Sequence, residues 1–431
     1  MMRPNIVFIM ADDMGHADIS CNGRRDYETP NIDRIAERGV RFTQAYANSA
    51  VCSATRLALI TGRYQYRLPL GLEEPLAGKA DVGLPPEHPC LPSLLRDAGY
   101  GTTLIGKWHL GSPPSFGPSL SGYDHFWGIR GGAIDYYSHK NPRGEDDLWD
   151  GDVPVQQAGY LTDLLGDRAV SAIEGYAYPA KPFLLSLHFN APHWPWEAPG
   201  DQAESARLLG SRLRHFDGGS QRTYAKMVQA MDRQIGRVLQ ALDANGLSDN
   251  TVVVFTSDNG GERFSDTWPF TGIKTELLEG GLRVPALMCW PARITAGLVS
   301  DQVAITMDWF ATLLAAAGVA PHGDYPPEGI DLLPVLTSPV DRTLFWRYKL
   351  NAQRAMRQGP YKYLKIRENT FLFDVVADPR ERGNLKDRRK DVFDRMEAEW
   401  HAWNATMLPT IEDSFGETYS AADLADHIGA G

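Results

Sequence analysis

Apolar residues in this chain gather in short unbroken runs, each followed by polar residues and then by a stretch with helical spacing. The runs at 5–10, 102–105, 183–189, 251–256 and 286–290 predict strands buried on both faces, because a half-exposed strand would alternate. Helices are predicted between them. The stretch 32–38 follows Pro30, 91–98 ends at Gly99, and 160–175 carries Leu161, Leu164, Leu165 and Ala169. The stretch 222–245 repeats apolar positions at Met227, Ala230, Met231, Ile235, Val238 and Leu242. Strands alternating with helices imply an α/β fold: a large, mostly parallel sheet sandwiched by helices. From about residue 334 the texture changes. Short strands at 343–348, 352–357, 361–366 and 370–374, joined by turns such as Gln358-Gly359-Pro360, precede a helical stretch at 388–405. The expected division is a main α/β domain, 1–335, and a small C-terminal α+β subdomain, 336–431, with an antiparallel sheet and a helix. Its last part, 409–431, wraps back or stays loose.

Composition narrows the options. A chain of 431 residues with 43% hydrophobic content is ample for a large core. A net charge of -11 argues against nucleic acid as a partner. It also argues against heavily polyanionic substrates, unless a local basic pocket overrides it. The first apolar run is too short for a signal h-region and leads directly into Ala11-Asp12-Asp13, so neither an export signal nor a membrane span is expected. The four cysteines, Cys21, Cys52, Cys90 and Cys289, lack CxxC spacing; reduced thiols and a cytoplasmic location fit this pattern.

The polar residues that follow the strands change the picture further. In a doubly wound sheet, ligands bind beyond the carboxyl ends of the strands. The first strand ends in Asp12 and Asp13; the second leads into Lys107 and His109, on one face around Trp108; the third leads to His193, set between prolines; the fourth to Asp258 and Asn259. Lys274 precedes Glu279-Gly280-Gly281-Leu282-Arg283-Val284-Pro285. Asp12, Asp13, Asp258 and Asn259 offer only oxygen donors, a set suited to Ca²⁺ or Mg²⁺. Cys52-Ser53-Ala54-Thr55-Arg56 opens an apolar helical run, which puts the Cys52 thiol and the Arg56 guanidinium on one face at a helix N-terminus. Any one of these segments alone reads equally well as a cap, a turn, a surface lysine or a structural histidine.

Taken together and in order, the segments resemble the type I sulfatases of the alkaline phosphatase superfamily, whose signature is Cys-x-(Pro or Ala)-x-Arg. Ala54 stands where Pro is commoner and Thr55 where Ser is commoner. Gly106-Lys107-Trp108-His109-Leu110-Gly111, Ala191-Pro192-His193 and Ser257-Asp258-Asn259-Gly260 extend the match, and Arg357-Gln358-Gly359-Pro360-Tyr361-Lys362-Tyr363 resembles the family's small subdomain. The resemblance implies that the main domain is catalytic and that Cys52 is oxidised to formylglycine (3-oxoalanine) by a formylglycine-generating or sulfatase-maturing enzyme. The hydrated aldehyde would attack sulfur, and its second hydroxyl would expel sulfate. Arg56, Lys107 and Lys274 would neutralise the sulfuryl oxygens, His109 would act as base and His193 as acid, with Asp12, Asp13, Asp258 and Asn259 on the cation. The implied partner is a small-molecule or saccharide sulfate ester. His16, Tyr136, His139 and Trp194 are expected substrate contacts, and Trp127, Trp149 and Trp196 join them as an aromatic rim. His188 is expected in the core. A phosphonate monoester or phosphodiester hydrolase using the same site is the second reading; a non-catalytic anion- or metal-binding protein with an unmodified Cys52 is the third.

Overall fold

In the computed structural model, which describes residues 3–178, 181–211 and 215–417, the apolar runs line up in one sheet. In chain order the strands are β1 (Asn5–Ala11), β2 (Val40–Phe42), β3 (Ala45–Tyr46), β4 (Gly101–Lys107), β5 (His125–Ile129), β6 (Trp149–Asp150), β7 (Val153–Pro154), β8 (Phe183–His188), β9 (Thr251–Ser257), β10 (Ala286–Cys289), β11 (Leu298–Ser300) and β12 (Ala304–Ile305). The main sheet runs β11-β2-β10-β9-β1-β8-β4-β5-β6-β7, while β3 pairs with β12. Its centre, β9-β1-β8-β4-β5, is parallel. By contrast β10 runs antiparallel to β9. The stretch between them carries the one-turn helix at Glu279–Leu282.

Both faces are covered, as unbroken apolar strands require. Val7, Ile9 and Ala11 of β1 point into one core; Ile6, Phe8 and Met10 point into the other. The helices are α1 (Pro30–Glu37), α2 (Cys52–Thr61), α3 (Leu91–Asp97), α4 (Leu161–Ala177), α5 (Gln202–Leu208), α6 (Gln221–Ala244), α7 (Glu279–Leu282), α8 (Asp308–Ala317) and α9 (Lys390–Asn404). The first core takes α1, α4 and α6 through Ile32, Leu161 and Met227. The second takes α2, α3 and α8 through Leu57, Leu91 and Trp309.

The C-terminal part is an antiparallel meander, β13 (Thr343–Tyr348), β14 (Gln353–Gln358), β15 (Tyr361–Ile366) and β16 (Asn369–Asp374). One face holds α9 through Met356, Tyr363, Phe393 and Met396. The other packs Leu344, Trp346 and Leu364 against Tyr46, Ala54 and Ala58 of the main domain. A buried charge cluster ties the two together: Lys362 Nζ lies 3.0 Å from Glu279 and 2.9 Å from Glu381. The chain then wraps back as far as Glu417, whose N–H donates to the Glu74 carbonyl at 2.7 Å. The rest of the expected 409–431 segment lies outside the described residues. Among the described residues no helix is long and apolar enough to cross a membrane.

Candidate active site

The register of the sheet builds the site. Ala11 sits opposite Ser257 and Met10 opposite His188, so Asp12, Asp13, Asp258 and the 190–193 loop leave the sheet side by side. Gly106 sits opposite His188, which brings the Lys107–His109 segment to the same edge. Into this edge points the N-terminus of α2, whose first residue is Cys52. Every residue of α2 is buried. Asp13 and His109 both adopt left-handed backbone, at φ 63° and 58°. Such positions are strained for non-glycine residues and concentrate at functional sites.

Arg56, one turn after Cys52, is fixed by four groups. Its Nε donates to Asp258 Oδ2 at 2.9 Å and its Nη1 to the Lys107 carbonyl at 3.1 Å, while Nη2 lies 3.6 Å from Asp12 and Nη1 3.4 Å from His188 Nδ1. His188 is thus a core residue, as expected, but one that touches the site. Lys107 Nζ meets both Asp12 oxygens, at 2.6 and 2.9 Å. Lys274 Nζ meets Asp13 Oδ2 at 2.9 Å, and His193 Nε2 lies 3.5 Å from the same oxygen. All these groups are buried, so the pairs are needed to offset desolvation.

The carboxylates suit a hard cation. Asp12, Asp258 and Cys52 present ligand atoms within 4.8 Å of one another. Burial, with Asp258 and Asp13 nearby, pushes Asp12 well above the usual carboxylate range despite Lys107. Burial also opposes the charge on Asp13, yet Lys274, His193 and Lys107 hold it ionised, well below that range. Asn259 donates its Nδ2 to Asp13 at 2.7 Å while its Oδ1 stays buried without a hydrogen-bond partner. An orphaned amide oxygen beside crowded carboxylates has the oxygen-donor chemistry that fits a hard divalent cation.

Hydrogen bonds to carbonyls fix both histidine tautomers, since a carbonyl can only accept. His109 Nε2 lies 2.8 Å from the Leu76 carbonyl and so carries the proton. Burial and Lys107 push its pKa well below 6.5, so the ring is neutral. Its Nδ1 lone pair therefore faces Cys52 Sγ, 3.3 Å away. A Cβ on Gly132 would meet this ring at 2.5 Å, so the close approach of that loop requires glycine. His193 Nδ1 donates to the Trp194 carbonyl at 2.7 Å. Its Nε2 then carries a proton only as imidazolium, and burial, with Lys274 and Lys107 nearby, pushes the pKa well below 6.5 despite Asp13, so the resting ring is neutral. Burial pushes the Cys52 thiol up to about 12, against Lys107 and Lys274, so unmodified cysteine is not a thiolate nucleophile here.

Thus Cys52, Arg56, Lys107, His109, His193, Lys274, Asp12, Asp13, Asp258 and Asn259 converge in one buried contact network. The expected substrate contacts divide. Trp194 stays beside the site, its ring against His193 at 4.7 Å and stacked on His215 at 5.3 Å. Tyr136 is fully buried; its hydroxyl donates to the carbonyls of His193 (2.9 Å) and Asn190 (3.2 Å), so it braces the loop from behind and is no rim contact. His16 packs edge-on against Phe270 at 5.0 Å, beside Arg283, a core position. His139 lies on a cavity of about 350 Å³ with Tyr137, Lys140 and Asp146, and touches none of the converging residues. The aromatic rim does not form as expected: Trp127 and Trp196 are buried in the core, and Trp149 lies under the Arg130 guanidinium at 3.8 Å. Sequence reasoning missed Glu262, which touches His215 and lies 3.7 Å from Lys274, and Glu417, also 3.7 Å from Lys274. Glu262 had a signal, since it follows Asp258-Asn259-Gly260-Gly261; Glu417 had none.

Comparison with known proteins agrees with this geometry. The family model described as Sulfatase matches residues 4–319. Mouse N-acetylgalactosamine-6-sulfatase is 34% identical over 384 residues, covering 83% of this chain and 71% of that protein. Dog arylsulfatase G is 31% identical over 492 residues, covering 99% and 88%. The solved structure of Ps i-CgsB in complex with k-i-k-neocarrahexaose superposes with a TM-score of 0.87 at 29% identity, covering 99% of this chain and 98% of that one.

Proposed function

The chain belongs to the sulfatase family, the sulfuric ester hydrolases, and on that premise we propose that it hydrolyses the sulfate monoester of a saccharide, using formylglycine at position 52 and a divalent cation. The observation that carries this is the His109 lone pair aimed at Cys52 Sγ from 3.3 Å, in a pocket where the thiol itself is unreactive. Formylglycine would supply a hydrated aldehyde, with one hydroxyl to attack sulfur and a second to release sulfate. A cation held by Asp12, Asp13, Asp258 and Asn259 would supply charge at the sulfuryl oxygens.

The residues of the chain do the rest. Arg56, fixed by Asp258 and the Lys107 carbonyl, orients residue 52. Lys107 and Lys274, buried beside Asp12 and Asp13, would neutralise the sulfuryl oxygens in a water-poor site, where such contacts act most strongly. His109 accepts a proton at Nδ1. His193, neutral at rest with its Nε2 3.5 Å from Asp13, would act as the acid only after taking up a proton at Nε2, which it would then give to the leaving alkoxide; Tyr136 holds its loop. We further propose that the small C-terminal subdomain begins near residue 336, that a maturation enzyme acts on Cys52, and that the protein works in a reducing compartment such as the cytoplasm. The unpaired cysteines Cys21, Cys90 and Cys289 support the last point.

The saccharide assignment is supported by the sugar-directed name of the mouse relative and the oligosaccharide in the Ps i-CgsB complex. Matured protein should release sulfate from N-acetylgalactosamine 6-sulfate and from 4-nitrophenyl sulfate, with peptide mass at position 52 showing loss of sulfur and two hydrogens and gain of oxygen. Faster turnover of an aryl phosphonate monoester than of either sulfate ester would replace this reading with the phosphonate hydrolase one.

A further inference from the structure

We propose that Glu417 recognises the alcohol half of the substrate by accepting hydrogen bonds from its hydroxyl groups, which makes the C-terminal segment a specificity element; this rests on the sulfatase reading above. Lys274 Nζ faces carboxylates of Asp13 at 2.9 Å, Glu262 at 3.7 Å and Glu417 at 3.7 Å. Asp13 belongs to the cation set. The Glu262 side chain is 2% exposed and in contact with His215, whereas the Glu417 side chain is 22% exposed. Among the carboxylates facing Lys274, Glu417 therefore stands where the buried site meets solvent, the side on which an alcohol group must project.

The segment is held by everything except this carboxylate. Glu417 N–H donates to the Glu74 carbonyl at 2.7 Å, and Tyr348 Oη donates to the Glu417 carbonyl at 2.6 Å. Phe415 N–H donates to the Glu73 carboxylate at 2.9 Å, and Lys79 and Lys349 donate to the carbonyls of Asp413 (2.8 Å) and Ser414 (2.5 Å). Glu417 Oε2 is buried and accepts no hydrogen bond among the described residues, whereas Glu262 faces the His215 ring. At 3.7 Å the Lys274 ammonium is too far to serve as donor to Glu417.

A buried acceptor without a donor is costly unless a ligand supplies the proton. The vicinal hydroxyls of a sugar do so; an aryl ring does not. A site built to accept a substrate O–H discriminates against an analogue that lacks it. The same carboxylate repels a second anionic group beside the reacting ester, so the favoured sugar carries neutral hydroxyls there.

The test uses the full, matured chain with Ca²⁺ and two probes, N-acetylgalactosamine 6-sulfate and 4-nitrophenyl sulfate. Glu417→Ala is expected to lower the ratio of kcat/KM for the sugar ester over the aryl ester by at least about tenfold. Glu417→Gln, which keeps an acceptor oxygen without the charge, is expected to recover part of that ratio. A ratio shifted by less than about threefold in Glu417→Ala overturns the proposal, as does identical behaviour of the two variants, which would mark a purely electrostatic effect on Lys274. Wild-type protein that releases sulfate from neither probe contradicts the sulfatase reading instead. In that event the same ratio is read as dissociation constants by calorimetry on Cys52→Ala protein, where no change with Glu417→Ala overturns the Glu417 assignment by itself.

Discussion

His109 Nδ1 lies 3.3 Å from Cys52 Sγ, while the opposite ring nitrogen is bonded to the Leu76 carbonyl. A loop carbonyl thus decides which nitrogen is free to accept a proton.

His109→Gln is therefore expected to lower kcat by about 10²–10⁴ on an aryl sulfate, the usual range for a lost proton acceptor. Peptide mass at position 52 should be unchanged, which separates failed catalysis from failed maturation. A kcat within a few-fold of wild type would remove His109 from the base role.

Asp258 bonds Arg56 and is one of the proposed cation ligands. Asp258→Ala leaves a buried guanidinium without its nearest partner, a change that costs about 3–5 kcal/mol. Urea unfolding in chelator should show this loss without any metal present, and calorimetry should show weakened Ca²⁺ binding. Full activity of chelator-treated Asp258→Ala would contradict the metal assignment.

Stability should fall on mild acidification, with His16 as one identifiable source. Burial and neighbouring Arg283 hold His16 at about 3, against 6.5 for a free imidazole. Below pH 6.5 the unfolded chain takes up a proton that the folded chain refuses. The contribution is complete above that pH and is lost progressively as pH falls toward the folded value. At pH 5 His16 accounts for about 2 kcal/mol of the loss. His16→Gln should flatten the stability profile between pH 7 and pH 5; parallel profiles for wild type and variant would refute this source.

The subdomain contact offers a fourth check. Burial opposes the charge on Glu279, yet Lys362, Arg283 and Arg357 hold its pKa at about 2, while burial raises Glu381 to about 7 despite Lys362. Lys362→Ala would leave both carboxyl groups without that ammonium and is expected to destabilise by about 3 kcal/mol in urea or thermal unfolding. A Lys362→Ala variant as stable as wild type would show that the apolar contact through Trp346 and Leu364 holds the two parts together unaided.

What the sequence determined was local. Apolar runs bounded by polar residues marked β1, β4, β8, β9 and β10, and the residues after them, Asp12, Lys107, His193 and Asp258, were legible because short-range patterning reports burial and a strand end forces the chain into the loop that follows. Short elements such as β6 and β7, with too few residues for a period, were not. What tertiary structure alone decided was long-range. Tyr136, Trp127 and Trp196 read equally well as rim or core, because an aromatic ring suits either, and packing sent them inward. The tautomer of His109 depends on a carbonyl 33 residues away, and the place of Glu417 beside Lys274 on a tail carrying no motif. No local pattern encodes which distant groups meet, since that follows from how the packed cores position their loops.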